Sequence, residues 1–297
     1  MYATKPKNFN EIKEIFIRDV NEINKILLKE QTIIFYDTCS LGNHARENPI
    51  TKNYDVLDYF TNNDTVIITD KILEEMINTT TGEVSFQYIQ YLKALVRKIK
   101  FLVLLNECEI ENLLNFKMDK EVSRKKIVDI IKLSFLQLAP PIQKKLINTI
   151  DLKDKEFLKT ILSSVDFAKR NRGEISISIC MFSIENIRKK NFRILTDDKN
   201  SIQYLLKPFE EKKAMSNVSI ESTSKIVQIL YNQFSNWTEK SKSDIVRILN
   251  VIRTDEEFKI LYKDIVDGIK YQNLVEAKLS NNELAEKIFN KSIAVFF

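Results

Sequence analysis

The chain has 297 residues, of which 44% are hydrophobic, 29% are charged and only four are glycine. So few glycines rule out a glycine-rich phosphate loop, and a single histidine, His44, rules out two-histidine ribonuclease chemistry and multi-histidine zinc sites. The three cysteines, Cys39, Cys108 and Cys180, form no Cys-x-x-Cys pair and argue against a disulfide framework, while a net charge of +5 tolerates a polyanionic partner without demanding one.

In chain order, Phe9, Ile12, Phe16, Val20, Ile23 and Leu27 recur at helical spacing and predict one amphipathic helix over 9–30. A short apolar strand over 32–36 follows, then a helix or turn from Thr38 to Arg46 and a helix over 54–62. Next come a strand over 66–69 and a helix over 70–79 with Asp70 as its N-cap. Residues 84–165 read as mostly helical, with a candidate strand over 101–105 and a break at Pro140-Pro141. A helix over 174–190, a strand over 192–196, a helix over 199–206, a strand over 218–221 and a helix over 224–234 complete the alternation. From 236 to 297 only helical periodicity shows: Ile245, Ile248, Leu249 and Ile252, then Phe258, Leu261, Tyr262 and Ile265.

Strands alternating with helices predict an α/β fold with a parallel sheet. The domain is expected over 1–235, with a helical insertion at about 84–165 and a helical C-terminal extension over 236–297. The start, Met1-Tyr2-Ala3-Thr4-Lys5, has no apolar signal-peptide core, and the strongest apolar run, at 101–105, is too short for a bilayer. A cytoplasmic setting without a membrane is expected.

Four acids stand out by position. Asp37 closes the run Ile33-Ile34-Phe35-Tyr36, Glu75 follows Val66-Ile67-Ile68, Glu174 opens an apolar helix-like stretch, and Asp198 ends Ile194-Leu195-Thr196-Asp197-Asp198. Each has an ordinary structural explanation: Asp37, Thr38, Thr196 and Asp197 are good helix caps, and Glu174 suits a helix N-terminus. Glu74 competes with Glu75, and Asp166 with Glu174. Taken together, carboxylates gathered at the carboxyl ends of parallel strands repel one another unless protonated or bridged by a cation. That points to a divalent metal, hence to phosphate chemistry.

The order of these segments resembles that of the PIN-domain nucleases, metal-dependent ribonucleases that include many toxins of toxin–antitoxin pairs. Ile33-Ile34-Phe35-Tyr36-Asp37-Thr38-Cys39-Ser40-Leu41 resembles the family's first strand ending in Asp-Thr-Asn/Ser, with Cys39 in place of Asn or Ser. Leu73-Glu74-Glu75-Met76 resembles its Glu-Leu pair on a helix, Gly173-Glu174 its third acid, and Leu195-Thr196-Asp197-Asp198 its Thr-x-Asp. The resemblance covers roughly 30–235, with a longer interval between Glu75 and Glu174 than in the small toxins. It implies a PIN-like parallel-sheet domain in which Asp37, Glu75, Glu174 and Asp198 hold Mg²⁺ or Mn²⁺, with Thr38, Thr196 and Asp197 in support. The implied activity is internal hydrolysis of RNA phosphodiesters, leaving a 5′-phosphate and a 3′-hydroxyl. Single-stranded or branched DNA is the alternative substrate, and an inactive scaffold the alternative class.

Basic residues adjoin these acids: Lys169, Arg170 and Arg172 before Glu174, and Arg46 after Asp37. They are the expected contacts to a nucleic-acid backbone. His44 reads as an ordinary polar residue near the site, and Trp237 as a packing residue. A free nuclease endangers its host, so an inhibitory protein partner is expected, with 236–297 as its docking surface; a homo-oligomer is left open.

Overall fold

The computed structural model describes residues 5–47, 54–106, 109–134, 140–148, 150–154, 172–199, 218–233, 235–253, 259–266, 269–270 and 273–297. Five strands form a parallel sheet: β1 (Thr32–Tyr36), β2 (Thr65–Thr69), β3 (Phe101–Leu105), β4 (Asn191–Leu195) and β5 (Val218–Glu221), in the order β3-β2-β1-β4-β5. The segments foreseen as strands form all five; β1, β2 and β3 are the near-continuous apolar runs that a sheet covered on both faces needs, while β4 and β5 carry polar residues. Ile33, Ile34, Phe35 and Tyr36 of β1 and Val66, Ile67 and Ile68 of β2 are fully buried. Each such side chain contributes about 1.5–3 kcal/mol on leaving water. The strand order reverses between β1 and β4, and open α/β sheets bind ligands at such a switch point, outside the carboxyl ends of the strands.

The N-terminal helix foreseen over 9–30 is two pieces. Helix α1 (Phe9–Ile12) runs into a 3₁₀ turn, and α2 (Val20–Lys29) begins afresh where the Asp19 carboxylate accepts from the Glu22 N–H at 2.9 Å. Between them Ile17 pairs with the edge of β3, its N–H donating to Leu102 O and its carbonyl accepting from Leu104 N. Sheet pairing thus overrides the helical spacing at Phe16 and Ile17.

Helix α3 (Thr38–Ala45) follows β1, and α4 (Asp70–Glu75) follows β2. Thr69, not Asp70, caps α4: its hydroxyl accepts from Ile72 N at 3.3 Å, and Asp70 is the first helical residue. This helix stops well short of residue 79, because Ile77 bridges to Val84 and the chain turns through Gly82 at φ +72°. The segment 54–62 holds a 3₁₀ turn, Asp55–Tyr59.

Helix α5 (Phe86–Val96) and β3 belong to the sheet layer itself, leaving α6 (Ile110–Asn115), α7 (Lys120–Ser134) and α8 (Pro140–Asn148) as the helical excursion. Helix α9 (Arg172–Ile187) returns under the sheet and packs on α4, α6 and α7. Helix α10 (Thr223–Gln233) follows β5. The helix foreseen over 199–206 lies, beyond Lys199, outside the described residues.

The C-terminal region is not purely helical. Helices α11 (Ser235–Thr238), α12 (Lys242–Ile252) and α13 (Asn281–Phe289) accompany an antiparallel sheet in which β6 (Lys259–Val266) pairs with β7 (Ile269–Lys270), β8 (Val275–Lys278) and β9 (Ile293–Val295). Ile260 and Tyr262 are buried in β6 at a period of two, and the same run also satisfies the helical spacing of Leu261, Tyr262 and Ile265. Short apolar runs do not distinguish the two. The region is fastened to the core by Gln228, whose amide donates to Ile293 O at 2.6 Å and accepts from Val295 N at 2.7 Å. Trp237 is fully buried, its indole N–H donating to Asp58 at 3.2 Å. Among the described residues no helix is long and apolar enough to cross a membrane.

Candidate active site at the carboxyl edge of the sheet

Asp37 sits just past β1, its backbone N–H donating to Leu195 O of β4 at 2.9 Å. It is extended at φ −85°, ψ 154° and caps α3, its Oδ1 accepting from Thr38 N at 2.8 Å. Its Oδ2 takes two further donors, Thr196 Oγ1 at 2.7 Å and the Cys39 thiol at 2.8 Å. A carboxylate oxygen accepts two hydrogen bonds readily, so these partners fill Oδ2 and fix the group in one orientation. Asp37 is 4% exposed. Burial raises its pKa, the bonds from Cys39, Thr196 and Thr38 oppose that rise, and the charge of Asp198 adds to it. Asp198 therefore lies within electrostatic reach of Asp37.

Glu75 arrives from α4. Its Oε2 accepts from Thr38 Oγ1 at 2.6 Å, which ties the second acid to the residue after the first. Gly173, in the first turn of α9, lies against both. A Cβ added there would meet Glu75 Oε2 at 3.1 Å, Asp37 Oδ1 at 3.4 Å and Ile72 Cδ1 at 2.7 Å. One oxygen of each carboxylate thus lies beside the glycine, and the missing side chain is what lets α9 approach them. Glu174, next in the chain, is buried at 6% exposure. Ser176 one turn on bonds Thr69 Oγ1 at 2.6 Å and holds α9 to the end of β2.

The paired acids after β4 separate. Asp198 is half-buried, with its N–H donating to Thr196 Oγ1 at 3.2 Å. Asp197 turns the other way, into the protein. Its Oδ2 accepts from Ser40 Oγ at 2.9 Å, Asn43 Nδ2 at 2.8 Å and Thr223 Oγ1 at 2.6 Å, and its Oδ1 from Thr223 N at 2.7 Å. This carboxylate joins α3, the β4 loop and the start of α10. Behind it His44, fully buried, bonds Thr223 Oγ1 at 2.9 Å through Nε2 and the Tyr36 hydroxyl through Nδ1, and Tyr36 bonds Tyr91 OH at 2.7 Å. Burial pushes the His44 pKa down to about 4 against the pull of Asp197, so the ring is neutral at pH 7.

Cys39 supplies more than its place in the motif suggested. Burial and the charges of Asp37 and Asp197 raise its pKa well above the ordinary value, which keeps the thiol protonated and a donor to Asp37. It also accepts from Asp197 N at 3.2 Å. Ser40, Asn43 and Thr223 were invisible as partners of Asp197, since Thr223 lies 26 residues away in sequence. Glu221 also ends a strand, but it lies 3.9 Å from Arg193 and its burial is offset by Lys225.

Among the expected phosphate contacts, Arg46 is exposed at the end of α3. Arg172 opens α9, while Lys169, Arg170 and the fallback acid Asp166 lie outside the described residues. Among the described residues no three His, Cys, Asp or Glu side chains close into a metal cage. The donor set nevertheless suits a hard cation that keeps part of its water: carboxylate oxygens of Asp37 and Glu75 both lie beside Gly173, with Asp198 within electrostatic reach of Asp37. Comparison of the chain with family models, with curated proteins and with solved structures finds no match.

Proposed function

We propose that this chain is a metal-dependent nuclease of the PIN-like kind that hydrolyses RNA phosphodiester bonds internally. The observation that carries the reading is the convergence of Asp37 and Glu75 on Gly173, at the switch point of a parallel sheet ordered β3-β2-β1-β4-β5. Asp37 and Asp198 would hold Mg²⁺ or Mn²⁺ directly or closely, and Glu75 and Glu174 would complete the set directly or through water. Bound there, the metal supplies polarisation of a phosphoryl oxygen and a lowered pKa for its water.

The chain's own part is orientation. Thr196 and Cys39 occupy Asp37 Oδ2, which leaves the lone pair of Oδ1 not used by Thr38 N as its remaining acceptor. Thr38 holds Glu75 in the same place with a 2.6 Å bond. His44, neutral and enclosed, takes no proton-transfer role; it braces Thr223 and through it Asp197. RNA is the substrate proposed, with single-stranded or branched DNA as the alternative, and a protein that occludes the site as a regulatory partner. The lack of a three-donor cage among the described residues favours, as second reading, a scaffold that kept the site's framework without turnover.

Labelled single-stranded RNA and DNA, incubated with wild type and Asp37→Asn in Mn²⁺ or chelator, decide between these. The expected outcome is Mn²⁺-dependent RNA cleavage that Asp37→Asn lowers by about 10³-fold, the upper range for losing one positioned catalytic group. Equal Mn²⁺ binding by the two proteins in a titration, with no cleavage by either, would sink the carboxylate site and leave the scaffold.

A further inference from the structure

Thr38, Gly42 and Arg46 stand at i, i+4 and i+8 and therefore form one stripe along α3, whose last residue, Ala45, Arg46 directly follows. At one end of the stripe the Thr38 hydroxyl holds Glu75. One turn on, about 6 Å along the axis, Gly42 leaves room for the Tyr88 phenol of α5: a Cβ at Gly42 would meet Tyr88 OH at 2.9 Å. Another turn on stands the exposed Arg46. Tyr88 is half-buried; burial raises its pKa, the charge of Arg46 opposes that, and the charges of Glu75 and Asp37 add to it. In a chain with four glycines, Gly173 and Gly42 both make close approaches at this edge of the sheet.

Resting on the nuclease reading, we propose that the Tyr88 hydroxyl, seated against Gly42, and the Arg46 guanidinium bind successive backbone phosphates of a single polynucleotide strand, and that α3 is the track leading that strand to Asp37 and Glu75. A phenol that stays protonated is a hydrogen-bond donor, and a guanidinium is suited to phosphate. Contacts of this kind set position and affinity without sequence choice. Tyr88 acts as a positioning residue that touches substrate away from the reacting phosphate.

The test compares wild type, Tyr88→Phe, Gly42→Ala, their double variant and Arg46→Ala. Binding of labelled random-sequence RNA and DNA is measured in chelator, kcat and KM in Mn²⁺, and Mn²⁺ affinity by titration. Tyr88→Phe keeps the ring and removes one donor to a charged acceptor; KM should rise about tenfold with kcat and Mn²⁺ affinity unchanged. Gly42→Ala should give the same rise by displacing the hydroxyl, and the double variant should add nothing further. Arg46→Ala should reduce the slope of log affinity against log salt by about 0.7. If wild type cleaves and KM of Tyr88→Phe stays within about twofold, the track is overturned and the nuclease reading stands. If wild type neither binds nor cleaves either polymer, the nuclease reading fails and the track with it.

Discussion

Asp197 and Asp198 are neighbours in sequence with opposite surroundings. Asp197 faces inward and is met by four donors from Ser40, Asn43 and Thr223, backed by His44 and Tyr36. Asp198 is half-buried, and its charge helps to raise the pKa of Asp37. A carboxylate saturated by protein donors is a strut. One whose charge raises the pKa of a second carboxylate stands where a cation would favour both. Under the proposed function the carboxyl edge of this sheet has a structural side and a chemical side, divided within one dipeptide.

The sharpest way to break that division is to exchange the two losses. Asp197→Ala orphans the buried Thr223 N–H and strips partners from Ser40, Asn43 and Thr223. Hydrogen bonds to charged groups contribute about 1.5–3 kcal/mol each and are not additive, so a loss of roughly 4 kcal/mol is expected. Asp198→Ala should change stability by less than about 1 kcal/mol, while lowering any metal-dependent cleavage at least tenfold. Urea unfolding midpoints and cleavage rates measured on both variants check this. Equal destabilisation by the two would erase the distinction between strut and ligand.

The strut side also predicts a pH dependence. His44 has an ordinary pKa of 6.5 and a folded value of about 4. The unfolded chain therefore takes up its proton first as pH falls. The associated stability is complete above pH 6.5 and is lost progressively between pH 6.5 and about 4. The shift corresponds to roughly 3 kcal/mol for this fully enclosed group. Stability measured across that window should lose this component of its acid limb in His44→Gln, compared with wild type. An unchanged slope would mean that burial does not hold the ring neutral.

β1, β2 and β3 could be read beforehand because their apolar runs are longer than any competing pattern. β1 and β2 carry Ile33-Ile34-Phe35-Tyr36 and Val66-Ile67-Ile68, which a buried parallel strand requires. The C-terminal strands lack that margin. β9 has three residues, and β8 is the alternating Val275-Glu276-Ala277-Lys278. Only pairing with β6 makes them strands, and pairing partners are not visible in a local window. The same holds at the site. Asp37 and Asp198 could be placed because strand ends mark positions, whereas Glu75 closes α4 and Tyr88 reaches the edge of the site only through the packing of α5 on α3. Thr69 and Asp70 are both capping residues side by side, and the choice between them depends on where β2 releases the chain.

Cys39 offers the finest probe, because its thiol touches both sides: Asp37 Oδ2 at 2.8 Å and the N–H of Asp197 at 3.2 Å. Cys39→Ser keeps a hydroxyl donor and an acceptor on a shorter bond, and should hold stability and activity near wild type. Cys39→Ala removes one of the two donors to Oδ2 while Thr196 remains at 2.7 Å. A single hydrogen bond of this kind contributes about 1 kcal/mol, so a stability loss of that size and a fall in cleavage of less than tenfold are expected. Denaturant midpoints and initial rates on the two variants measure it. Should Cys39→Ala cost as much activity as Asp37→Asn, the thiol would be a participant in the chemistry rather than a brace, and the chemical side of the edge would have to be extended to include it.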